Sequence, residues 1–213
     1  MNLTKLLMLT LISAVAFTGC SKDEDEAPAP TPTPTPTPAP TYPISGSAAF
    51  TCVLEDAGSV TYVAGTDGFS NTSGNVTGGG SASYNSALRN TTTSITGADI
   101  YFYGLDYTGA APTDQQFYDY FAEGSKPFAT LTSTDPTGVS VTFRSGSGSW
   151  TTLQMPQSTS NFTITDSEPV DDGSGIAKVK IRATFNCRVN PVSSIDMRDV
   201  TGGIFVGVFA KSN

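Results

Sequence analysis

The chain has 213 residues, with 11 lysines and arginines against 19 aspartates and glutamates, no histidine, and a net charge of -8. That balance, with no cluster of basic residues, argues against a nucleic-acid or anionic-membrane binder, because such affinity depends on Lys and Arg neutralising phosphate charge. The lack of histidine removes Ser-His and Cys-His nucleophilic dyads and His-ligated zinc or iron sites, and most hydrolase and metalloenzyme templates go with them.

Residues 1–19 read as a lipoprotein signal peptide. Lys5 precedes an apolar run from Leu6 to Phe17 that is too short to cross a bilayer as a helix, and Gly19 stands directly before Cys20. Cleavage after Gly19 would leave Cys20 as a lipidated N-terminus, carrying a diacylglyceryl group and an acyl chain such as palmitate. The expected membrane contact is therefore through lipid at Cys20. The following Ser21-Lys22-Asp23-Glu24-Asp25-Glu26 resembles the acidic export tag of Bacteroidota surface lipoproteins, which implies outer-membrane location with the domain facing the cell exterior. A solvated run that merely repels anionic headgroups is the alternative. From Ala27 to Pro40 proline alternates mostly with threonine or alanine, which blocks helix and sheet and favours polyproline II. At about 3.1 Å per residue this segment reaches on the order of 40 Å. Residues 20–43 are thus lipidated cysteine, export tag and tether.

Residues 44–213 have the length of one domain with a single core, and their glycine, serine and threonine content predicts many short strands joined by turns. The expected fold is all-β, an antiparallel β-sandwich. Ala48, Phe50, Cys52 and Leu54 alternate with Ala49, Thr51, Val53 and Glu55 in a first strand ended by Asp56-Ala57-Gly58, with a second from Ser59 to Ala64. Further strands are expected over 100–105, 139–144, 150–153 and 162–165. Pro112 to Phe117 opens like a helix, with Thr113 and Gln116 spaced as a capping box and Phe117, Tyr120 and Phe121 on one face. This predicts one short helix over 114–122 that closes an end of the sandwich.

The most regular alternation runs from Ala177 to Val189. Val179, Ile181, Ala183, Phe185, Cys187 and Val189 face one way, and Lys178, Lys180, Arg182, Thr184, Asn186 and Arg188 the other. Asn190 to Ser194 supplies turn chemistry, and a returning strand follows from Ile195 to Phe209. Its apolar phase changes around Thr201-Gly202-Gly203, which predicts a bulge there.

Several of these stretches are similar to a recurring set in uncharacterised Bacteroidota surface lipoproteins with a C-terminal β-sandwich. They are Phe117-Tyr118-Asp119-Tyr120-Phe121 with Gly124 and Pro127-Phe128, then Gly138 to Phe143, Ser149 to Thr152, Ser160 to Thr165, Ala183 to Cys187 and Val200 to Val206. The similarity spans roughly residues 97–210 and consists of turns and core positions. It implies the sandwich and brings neither a reaction nor a catalytic residue.

Chemistry-bearing side chains are few. Cys52 and Cys187 both fall on inward faces and form a candidate disulfide, the alternative being two buried thiols. A bridge would close a loop of about 135 residues, for which chain entropy allows about 4 to 5 kcal/mol. Asp166, Glu168, Asp171 and Asp172, beside Gly173-Ser174-Gly175, form a candidate calcium cluster without EF-hand spacing, or a solvated acidic loop. Asp99, Asp106 and Asp119 lie near aromatic residues and are the carboxylates a glycosidase would need. Among Tyr101, Tyr103, Tyr107, Tyr118, Tyr120 and Trp150, the positions Trp150, Tyr103 and Tyr107 are candidate glycan contacts, against the reading that alternating aromatics are core. The sequence therefore implies a lipid-anchored, cell-surface β-sandwich acting as a non-enzymatic binding or structural module. Second comes a glycan-binding accessory lipoprotein of a polysaccharide-capture system, and third a small glycoside hydrolase.

Overall fold

The structure, a computed structural model, describes residues 44–93, 96–129, 136–145, 148–153, 155–191 and 196–211. The signal peptide, Cys20, the acidic tag and the proline-rich tether lie outside the described residues. In chain order the elements are β1 (Ala49–Leu54), β2 (Gly58–Val63), β3 (Phe69–Gly78), β4 (Ser81–Asn90), β5 (Gly97–Asp106), α1 (Asp114–Tyr120), β6 (Gly124–Ser125), β7 (Gly138–Ser145), β8 (Gly148–Thr151), β9 (Asn161–Val170), β10 (Lys178–Pro191) and β11 (Arg198–Ala210).

The strands pair antiparallel in the order β2-β1-β11-β10-β8-β7-β5-β4-β3, and β9 joins the free edge of β10. The path folds into two layers because β10 changes partners along its length. Lys178 to Asn186 pair with β9, whereas Asn190 and Pro191 pair with Thr151 and Trp150 of β8. The layers are thus β9-β10-β11-β1-β2 and β8-β7-β5-β4-β3, a sandwich made by curling one sheet. The curl also brings β11 against β3, where Asn71 accepts a hydrogen bond from the Val208 amide at 3.2 Å. Asn190 and Pro191, expected as turn, instead complete the crossing between layers; Val192 to Ser194 lie outside the described residues.

Alternation decides which side chains fill the space between the layers. Val179, Ile181, Ala183, Phe185, Cys187 and Val189 are all buried, and Phe50, Cys52 and Leu54 of β1 are buried on the same inner face of the layer. The rings interlock: Phe185 stacks on Phe162 at 5.9 Å and tilts against Phe50 at 5.7 Å. The bulge expected in β11 is present, since Phe185 pairs with Gly203 but Cys187 pairs with Val200. Gly202 takes φ +60°, a left-handed conformation in which glycine carries no steric penalty.

The helix forms as its capping box requires. Thr113 Oγ1 accepts from the Gln116 amide at 3.1 Å, and the Thr113 amide donates to Gln116 Oε1 at 2.9 Å. Phe117 and Phe121 enter the core at one end of the sandwich, where Phe121 meets Phe209 at 4.7 Å. Two long strands, β3 and β4, occupy a stretch whose glycine, serine and asparagine content gave no strand signal. β9 pairs with β6 at Thr163 and Ile164 but carries Pro169 beyond that pairing, where only β10 is its neighbour and one side of the backbone is free.

Phe185→Ala should cost about 3 to 5 kcal/mol, since it empties a position packed on three sides by Phe50, Phe162 and Gly203. Thr184→Ala, on the exposed face, should cost under about 1 kcal/mol. Denaturant melts of the two variants check this, and equal losses would contradict the burial pattern.

Candidate functional site

Ile100 and Phe102 of β5 are buried, so the residues between and beyond them, Tyr101 and Tyr103, project from the outer face of the second layer. Both are half-buried, and their rings lie nearly parallel, 5.7 Å apart with an interplanar angle of 10°. A bulge positions the second ring. Ala82 pairs with Leu105 and Tyr84 with Phe102, so Tyr103 and Gly104 together oppose Ser83, and Gly104 adopts φ +82°. From the core side, the Tyr120 hydroxyl donates to the Tyr103 carbonyl at 2.6 Å and holds the bulge in place.

Beside the ring pair lies a groove of about 380 Å³, lined by Gly74 and Val76 of β3, Ser83 and Asn85 of β4, and the two tyrosines among others. Register builds it, because Gly74 stands opposite Asn85 and Asn85 opposite Tyr101. Gly74 contributes through its missing side chain: a Cβ there would meet Asn85 Oδ1 at 2.7 Å. Val76 at the rim is 76% exposed. Among the described residues the lining carries no formal charge. Burial raises the Tyr101 and Tyr103 hydroxyls above the ordinary tyrosine value, with Asp99 adding to the rise at Tyr101 against the opposing charges of Arg89 and Arg144, and a hydrogen bond from Ser140 opposing it at Tyr103. Both phenols are therefore neutral hydroxyls at physiological pH.

The sequence-derived candidates divide sharply around this groove. Tyr103 lines it, and Tyr101 joins it as partner. Trp150 and Tyr107 do not, because both point into the core at 7% and 9% exposure and cannot offer a face to a ligand. Gly74, Ser83 and Asn85 were not singled out from sequence, since small and polar residues in a stretch without apolar alternation look like loop.

The acidic cluster does not converge. Asp166 and Glu168 belong to β9, where Asp166 pairs with Arg182 at 3.3 Å and Glu168 accepts from the Ile44 amide at 2.8 Å. Asp171 accepts from the Gly173 amide, and Asp172 pairs with Lys178, whose hydrogen bond, with Ser174, holds the Asp172 carboxyl well below the usual range. Among the described residues no group of three potential ligands is placed to hold a metal, which corrects the calcium reading.

The disulfide reading is also corrected, because Cys52 and Cys187 are free and buried. They sit on β1 and β10, which flank β11 on opposite sides. Their backbones are thus two strand spacings apart, about 9.5 Å, beyond the ~4.4–6.8 Å Cα separation that a disulfide bridges. Burial pushes the Cys52 thiol from 9.0 up to about 12, and burial, with the Cys52 and Asp199 charges, raises Cys187 as well.

Ile44 is clasped over the outer face of the first layer, its amide on Glu168 and its carbonyl accepting from Lys180 at 2.7 Å. Among the described residues no helix is long and apolar enough to cross a membrane. Comparison of the chain with protein-family models, curated proteins and solved structures finds no match in any of the three.

The thiols give the fold an alkaline limit. Above pH 9 the unfolded chain releases thiol protons that the folded chain retains, so stability falls as pH rises from 9 towards 12. The expected slope is at most about 1.4 kcal/mol per pH unit for each thiol. Urea melts between pH 8 and 10.5 should show this decline, and Cys52→Ala should make it shallower. An unchanged slope in that variant would contradict the assignment.

Proposed function

We propose that this chain is an outer-membrane lipoprotein, anchored through Cys20 and displayed on the cell surface, whose sandwich binds a ligand without transforming it. The family reading, an uncharacterised Bacteroidota surface lipoprotein with a C-terminal sandwich, belongs to the same proposal. The observation that carries the binding role is the groove beside Tyr101 and Tyr103, whose volume falls in the ~300–1,000 Å³ range of small-molecule sites.

The carboxylates argue for binding over turnover. Asp99 and Asp106 stand at opposite ends of β5, about 20 Å apart at the rise of an extended strand. Glycoside hydrolysis needs two carboxyl groups about 5 to 9.5 Å apart. Asp99 is moreover occupied, with both oxygens accepting from Arg89 at 3.0 Å, and Asp119 accepts from Gln115 on its own helix.

Anchoring is tested in the native host. Cys20→Ala should abolish incorporation of labelled palmitate and move the protein from the membrane to the soluble fraction. Retention in washed membranes would sink the anchor. Replacing Lys22 to Glu26 with alanine should protect the domain from protease added to whole cells, while leaving palmitate incorporation intact.

A further inference from the structure

We infer that the groove beside Tyr101 and Tyr103 takes a short segment of an uncharged oligosaccharide, an assignment that rests on the binding-module reading above and names its ligand class. Three features of the groove point the same way. The paired rings offer a rigid, half-exposed aromatic surface against which the C–H face of a pyranose packs, since such rings present a large apolar area and a polar hydroxyl tip.

The second feature is the polar inventory. Asn85 carries an amide that both donates and accepts, Ser83 and the two phenols carry hydroxyls, and all four are partly solvent-accessible on one face. Sugar hydroxyls need that mixture of donors and acceptors. Gly74 adds to it by leaving the Asn85 side chain room beside the rings, so a larger residue at 74 would displace the amide.

Charge is the third. The lining is neutral, Arg89 near Tyr101 is engaged by Asp99, and the chain as a whole carries -8, so a sulfated or uronic acid polymer gains little from the arginines beside Tyr101, Arg89 and Arg144, and meets net repulsion. A peptide partner would find little apolar surface beyond the rings and Val76.

The test uses the lipid-free full-length chain carrying Cys20→Ala, with affinity electrophoresis and calorimetry against β-glucan, starch, galactan, mannan and xylan, and with polygalacturonate as the charged control. At least one neutral polymer should bind, and polygalacturonate should not. Tyr101→Ala and Tyr103→Ala should each weaken binding about tenfold or more, equivalent to about 1.4 kcal/mol or more for the loss of an aromatic anchor. Gly74→Leu should weaken it similarly, whereas Tyr118→Phe, away from the groove, should leave it unchanged. Each variant is first shown to keep its denaturation midpoint within error, which separates loss of the site from loss of the fold.

Failure of every neutral polymer to bind overturns the assignment, and so does binding that survives both tyrosine substitutions. A ligand that proves to be a peptide yet depends on Tyr101 and Tyr103 overturns the sugar assignment and leaves the binding module standing. Loss of palmitate labelling is scored separately and bears only on the anchor.

Discussion

Phe185 and Gly203 face each other across β10 and β11, and the ring of the first fills the space a side chain on the second would need. A Cβ at 203 would come within 2.4 Å of the ring, which cannot withdraw because Phe162 and Phe50 hold it from the other sides. The β11 backbone therefore has to approach closely at Gly203 and take up an extra residue just before it, at Gly202. A bulge strengthens local twist and bends its strand. Past the bend, Phe205 and Phe209 return to the core, and Phe209 reaches Phe102 in the second layer at 5.2 Å. The two layers share one core because β11 bends here and β10 crosses at Asn190 and Pro191.

What could be read from the sequence follows from how each strand is buried. β10 is half-buried along its length, so its alternation of apolar and charged residues was plain, and the change of phase at Thr201-Gly202-Gly203 marked the bulge. The capping box at Thr113 was legible because it is a local hydrogen-bond pattern. β3 and β4 were not. β3 lies at the end of the sheet path, and on its core side Phe69 alone is apolar while Asn71, Ser73, Asn75 and Thr77 are polar, so no hydrophobic period announced it. Asn71 serves there as a backbone surrogate for Val208, a role that only the tertiary fold creates.

The same logic explains the candidate site. Alternation along β5 separated Tyr101 and Tyr103 from Ile100 and Phe102, but it left open which set was inside. Trp150 sits in a strand of four residues, too short to set a phase. The acidic stretch looked like a loop because its turn residues, Gly173-Ser174-Gly175, are close behind it. Yet Asp166 and Glu168 alternate outward on β9 opposite Arg182 and Lys180, where Asp166 pairs with Arg182 and Glu168 accepts from the Ile44 amide, so both carboxylates are engaged without a metal. The cysteines were correctly placed on inward faces, but facing inward does not make two strands neighbours. The intervening β11 keeps the thiols apart, and both remain in an apolar setting that disfavours the thiolate.

A groove on a curled sheet inherits its shape from the bulges, since each one sets how far a side chain turns from its neighbours. The Tyr103-Gly104 bulge brings the Tyr103 ring parallel to Tyr101, and Tyr120 fixes it from beneath with a hydrogen bond to the Tyr103 carbonyl. Tyr120 is the last residue of α1, with buried Phe117 one turn before it and buried Phe121 just after it. The helix that closes the end of the core thus also sets the angle of the outer rings. A change in the packing of Phe117 or Phe121 would be felt at the groove through one hydrogen bond, even though neither residue is exposed. That coupling gives the core a direct hold on the surface proposed to meet the ligand.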